Sequence, residues 1–122
     1  MSSENRTYKD IYYEIKEQIK QCNLLYKKSK QNYNKNLTEF NQFHSPFLEE
    51  KFGLILDENI RIIREMKRYI DFFNETVGEL EIWLSYGDKE FNRTDVVTIN
   101  RALKALKVNI NTFMKLYHKL WS

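Results

Sequence analysis

The sequence predicts an all-α fold, an elongated antiparallel three-helix bundle with coiled-coil-like packing. Three observations carry this. Three glycines and one proline in 122 residues leave the chain few places to turn. Apolar residues recur at helical and seven-residue spacing along most of its length. Turn signals gather at two points only, Phe43-His44-Ser45-Pro46 and the stretch 85–93, and these divide the chain into three long segments.

Residues 1–6 read as a polar tail, and a single domain follows over 7–122. Thr7 with Asp10 three positions on has the form of a capping box, with Asp in place of the commoner Glu. The first helix is expected over about 7–43. Its stripe is Ile11, Ile15, Ile19, Cys22, Tyr26, Tyr33, Leu37 and Phe40, with a weak centre where Tyr33 is the one apolar residue between Lys27 and Asn36. A break within 31–36 is the alternative. The absence of Gly and Pro there favours continuity.

Ser45 as N-cap and Pro46 at the first helical position begin the second helix, expected over 46–85. Three adjacent rows run along it at seven-residue spacing: Phe52, Asn59, Met66, Phe73, Leu80; then Leu48, Ile55, Ile62, Tyr69, Thr76, Trp83; and Leu56, Ile63, Ile70, Val77, Leu84. Three rows make a stripe wider than a two-stranded seam needs, so this helix should touch two neighbours. Thr76-Val77-Gly78-Glu79 has the form of a second capping box and marks the alternative of a break at 74–78. The rows keep their phase through Thr76, which favours one helix. Gly87 suits the end of that helix, and Asn92 or Thr94 the cap of the third, expected over 94–121. There Val96, Leu103, Ile110 and Tyr117 form one row and Ile99, Leu106, Phe113 and Leu120 the other, apolar at every position. In outline this architecture resembles a spectrin repeat.

Composition narrows the function. A chain 42% hydrophobic and 30% charged is a folding composition, and a net charge of +3 does not by itself select nucleic acid. One cysteine excludes an internal disulfide and a Cys-rich zinc site. The N-terminus has no apolar core of a signal peptide and no run is long enough for a membrane span, so a cytoplasmic location is expected. The N-x-T triplets at Asn5, Asn36, Asn74 and Asn92 then have no glycosylating context. His44 and His118 lie at no metal-binding spacing from a carboxylate, and no nucleophile–base set or glycine-rich phosphate loop is present. The expectation is a non-enzyme with no cofactor, no metal and no small-molecule substrate.

What remains is binding. The third row of the central helix faces the weak stretch of the first, so Leu56, Ile63 and Ile70 are expected to be partly open or covered by another chain. Met114, Leu116 and Trp121 lie beyond the two core rows of the last helix and add to this face. Tyr12, Tyr13, Phe72 and Phe91 also lie off or at the edge of the rows. Asn59, a polar residue within a core row, is a candidate for fixing register or for bonding to a neighbouring helix. The reading is a protein-interaction module, an adaptor, inhibitor or assembly factor, whose partner is another protein or its own copy.

The alternative is nucleic-acid binding. After Asp95 the last helix carries Arg101, Lys104, Lys107, Lys115 and Lys119 and no acid, whereas residues 47–91 carry eleven acids against six bases. Residues 101–117 also resemble the helix-turn-helix of bacterial repressors and recombinases. That resemblance implies Leu106 and Val108 as the core pair around the turn, Asn109 as cap, and Asn111, Thr112 and Lys115 facing the groove. It departs where the turn glycine should stand, at Lys107. A continuous helix requires Ile110 buried and Val108 exposed, and a helix-turn-helix the reverse. The unbroken heptads predict the continuous helix.

Overall fold

The computed structural model describes residues 7–42, 46–85 and 91–121, and the side chains of 46–49 and 121 fall outside that description. It contains three helices packed against one another, α1 (Tyr8–Gln42), α2 (Pro46–Ser85) and α3 (Arg93–Trp121). The expected tail, the Ser45 cap and the Gly87 turn lie outside the described residues.

Two of the helix starts are written in their local chemistry. Thr7 and Asp10 form the reciprocal box: the Asp10 N–H donates to Thr7 Oγ1 and the Thr7 N–H to Asp10 Oδ2, both at 3.3 Å. Asn92, not Thr94, caps α3, with the Asp95 N–H donating to Asn92 Oδ1 at 2.9 Å and the Asn92 N–H to Asp95 Oδ2 at 3.2 Å. Both acids also sit where the helix dipole favours a negative charge. α1 runs unbroken through 31–36 and α2 through 74–78.

The helices alternate in direction. Lys16 near the start of α1 pairs with Glu81 near the end of α2, and Lys119 at the end of α3 meets Glu58 in the first half of α2 at 3.8 Å. α1 and α3 are therefore parallel and lie on either side of the broad stripe of α2. All three rows of that stripe contribute to the core: Met66 and Phe73 from the first, Ile62 from the second, Ile70 from the third. α1 contributes Tyr12, Ile15, Ile19 and Cys22, and α3 contributes Ile99, Leu103, Leu106, Ile110 and Phe113. Phe73 and Phe113 meet edge to face at 6.1 Å between ring centres in the middle of this core. Each such side chain contributes about 1.5–3 kcal/mol by leaving water.

Two features of α1 differ from the sequence reading. Tyr12 is buried, not an edge aromatic, because it stands on the side of α1 that faces α2. Ser29, at the weak centre of the stripe, is buried too, its hydroxyl donating to the Leu25 carbonyl at 2.8 Å. Satisfied within its own helix, this small side chain takes a core position that no larger residue fills. Burial pushes the Cys22 thiol up to about 11, so it is protonated at neutral pH and acts as a small apolar filler.

The base of the bundle is closed by aromatics. The Phe91 ring lies 6.1 Å from that of Tyr8 and 6.2 Å from that of Trp83, joining the starts of α1 and α3 to the end of α2. Phe91 is thus half-buried packing rather than a free loop aromatic.

Candidate protein-docking site

The opposite end of the bundle is built differently. α2 has 40 residues, α1 has 35 and α3 has 29. α3 finishes at the level of Glu58, where Lys119 reaches it, and Leu120 lines a cavity of about 170 Å³ together with Ser29, Asn59 and Ile63. Residues 36–42 of α1 and 46–57 of α2 continue past this point as a hairpin of two helices. The α2 segment there amounts to about three turns.

A two-helix hairpin cannot bury a stripe built for two neighbours. Phe52 and Ile55, from the first and second rows of α2, are 45% and 46% exposed. Met66 and Ile62, two heptads and one heptad further along the same rows, are buried. Between the helices lies a groove of about 370 Å³ lined by Asn36, Glu39, Phe40, Phe52, Ile55, Leu56 and Asn59. It shares Asn36 and Asn59 with the smaller cavity under Leu120, so groove and cavity form one trough that runs on from the end of α3. Asn59 is accordingly a half-buried wall residue of this trough.

The expected binding row is therefore corrected. Leu56, Ile63 and Ile70 are 8%, 4% and 5% exposed, each covered by the chain itself. The weak stretch of α1 does not open the third row, because buried Ser29 and half-buried Tyr33 line the same cavity as Ile63. Met114 and Leu116 are half-buried and pack against the core, and the Trp121 side chain lies outside the described residues. Exposed apolar side chains are instead spread over the three helices, among them Tyr13, Leu24, Leu54, Ile82 and Val108, and Phe52 and Ile55 are the exposed ones that line a groove. Heptad rows could not distinguish these residues from buried ones.

The residues of the nucleic-acid alternative are nearly all on the surface. Arg101, Lys104, Lys107, Asn111, Lys115 and Lys119 are exposed, and Thr112 is half-buried with its hydroxyl donating to the Val108 carbonyl at 3.3 Å. They lie along one continuous helix. Ile110 is 6% exposed and Val108 55%, as an unbroken helix requires, so no helix-turn-helix forms over 101–117.

Charges elsewhere are engaged locally. Glu58 accepts two hydrogen bonds from Arg61 at 2.6 and 2.7 Å, and these bonds, with further help from Lys119, hold its carboxyl below the usual range. Lys16 does the same for Glu81 through a contact of 2.5 Å. Tyr12 lies beside this pair, and burial first, then the Glu81 charge, raises its pKa. Among the described residues no three His, Cys, Asp or Glu side chains converge to hold a metal ion, and no helix is long and apolar enough to cross a membrane. Compared with known proteins, the chain matches no family model, no curated protein and no solved structure.

Proposed function

We propose that this protein is a non-catalytic interaction module that binds another protein through the two-helix end of its bundle. The observation that carries this reading is the apolar groove between α1 and α2, walled by Phe40, Phe52 and Ile55, the last two exposed. Single exposed apolar residues are ordinary on a protein surface, but a groove walled by several of them supports a docking role. Adaptors, inhibitors and assembly factors work by such contacts, and a cytoplasmic setting suits a chain with one buried thiol.

A photo-crosslinking residue placed at Ile55, on the wall of the groove, tests the reading in the cells that make the protein. Discrete protein adducts from position 55, absent from a probe placed at exposed Lys104, are expected. Equal adducts from both positions, or none from position 55, would contradict it.

Nucleic-acid binding is the second reading, supported by Arg101, Lys104 and Lys115 on the outer face of α3. It expects salt-sensitive retention on DNA or RNA that is lost when Arg101 and Lys104 are changed to Glu. No retention at low salt would remove it.

A further inference from the structure

We propose that the outer face of α2 is a self-complementary charge stripe that takes a second copy of this chain, the two α2 helices packed antiparallel about a two-fold axis. This surface is separate from the groove at Phe52 and Ile55. Arg61, Arg64, Arg68, Asp71, Glu75 and Glu79 follow one another at spacings of three or four residues, which puts all six on one side of the helix. That side is turned away from the core residues Ile62, Met66, Ile70 and Phe73, and all six are exposed. The stripe is about 27 Å long and runs along the middle of α2.

The signs along it are segregated, three bases first and three acids after. The fold of one chain gives no reason for that order, since α1 and α3 pack on the other side of α2. Arg64 and Arg68, Asp71 and Glu75, and Glu75 and Glu79 are like charges four residues apart, a spacing at which they repel. Arg68 and Asp71, neighbours of opposite sign, form no ion pair among the described residues, and neither do Arg64, Glu75 and Glu79. Arg61 is engaged with Glu58, which lies off the stripe.

Two copies resolve the pattern. A two-fold axis passing between Tyr69 and Ile70 sets Arg68 opposite Asp71, Arg64 opposite Glu75, and Arg61 within one residue of Glu79, with each pairing made twice. A parallel arrangement would set like charges against each other. The outer face of α3 has no such symmetry, because it carries bases and no acid after Asp95, so two copies of it repel. Pairs of this kind sit in water and each is weak, so the association is modest and sensitive to salt.

Sedimentation equilibrium on the full chain tests this. The parent is expected to dimerise at about 0.01 M salt, and its dimer constant to weaken at least about ten-fold at about 1 M, where the screening length falls to about 3 Å. Arg64→Glu with Arg68→Glu is expected to abolish the low-salt dimer. Adding Asp71→Arg and Glu75→Arg to that variant inverts the pattern at the parent's net charge, and is expected to restore the dimer. Circular dichroism follows helix content throughout. Should the double Glu variant lose it, Arg64→Gln with Arg68→Gln takes its place and is expected to weaken the dimer several-fold.

A parent that stays monomeric in low salt up to about 1 mM chain would overturn the inference. So would a dimer unmoved by salt, a dimer as strong in the double Glu variant as in the parent, or a four-fold variant that keeps its helices and remains monomeric. Crosslinking at position 55 reads a different surface, so neither result decides the other.

Discussion

Asn23 of α1 and Asn74 of α2 face each other and exchange amide hydrogen bonds, Asn23 Nδ2 donating to Asn74 Oδ1 at 3.2 Å and Asn74 Nδ2 to Asn23 Oδ1 at 3.3 Å. Asn23 Nδ2 also reaches the Ile19 carbonyl at 3.0 Å. Apolar rows tolerate a slip of one heptad between helices, whereas a reciprocal amide pair is satisfied in one register only. Asn23→Ala and Asn74→Ala are each expected to cost about 1 kcal/mol, and the double mutant less than their sum by about 0.5–1 kcal/mol. Urea denaturation of the four proteins measures this coupling, and strict additivity would show that the pair contributes no mutual stabilisation.

Tyr12 gives the opposite case. Its hydroxyl is buried beside the Glu81 carboxylate but meets no acceptor in good hydrogen-bond geometry among the described residues. Leaving a hydroxyl so placed costs about 1–3 kcal/mol, and Tyr12→Phe removes it while keeping the ring. The variant is expected to melt at a higher temperature than the parent. A lower melting temperature would mean that the hydroxyl is bonded in solution, with Glu81 as the nearby acceptor.

Gly78 lies within α2 with open space where a Cβ would stand, and at Gly53 a Cβ would meet Phe40 Cζ at 3.9 Å, an ordinary contact. Alanine at either position is expected to stabilise the protein by about 0.5–1 kcal/mol, by helix propensity alone. Chemical denaturation checks both, and destabilisation at Gly78 would indicate a break in α2 near that point.

The pH dependence follows from Glu58 and Glu81, whose folded-state pKa values lie below the ordinary one because Arg61 and Lys16 hydrogen-bond to them. A carboxylate with a lowered folded pKa contributes stability above its unfolded value, about 4.3, and loses it as pH falls through the folded value. The melting temperature should therefore drop on acidification below about pH 4.3. Glu81→Gln should lower it at neutral pH and flatten the acid limb. A limb unchanged by Glu81→Gln would show that the Lys16 pair is too screened by solvent to matter.

Core and hairpin end should respond unequally to truncation. Phe73→Ala or Phe113→Ala removes a ring that is fully buried and is expected to cost about 3–5 kcal/mol. Leu54→Ala, at a position 68% exposed, is expected to stay within about 0.5 kcal/mol of the parent. A cost above about 1 kcal/mol at Leu54, measured at low protein concentration, would mean that this surface is already covered in the isolated protein.

Much of the fold was legible in the sequence for a definite reason. Heptad rows in α3, the capping pair Thr7–Asp10, and the scarcity of glycine and proline are local signals, whereas the cap of α3 stayed open between Asn92 and Thr94 until Asp95 was seen to bond to Asn92. The candidate site was not legible in the same way. Leu56, Ile63 and Ile70 looked open because α1 is polar opposite them, but buried Ser29 and half-buried Tyr33 line the cavity that Ile63 shares. Phe52 and Ile55 looked buried because periodicity says which face a residue is on and nothing of whether a neighbour extends that far. The register pair Asn23–Asn74 was hidden for a related reason: each residue belongs to a polar flank, and only the meeting of two flanks gives them a role.

The thinner packing around Phe52 and Ile55, both nearly half exposed, also grades the molecule's resistance to opening. Hydrogen exchange should separate two cooperative units: amides around Phe73 and Leu106 exchanging only through global unfolding, and those of residues 36–42 and 50–57 through a smaller, separate fraying of the hairpin. Any occupant of the trough then finds a segment already paired but not fully locked, and its arrival would be read as slowed exchange in that second unit alone.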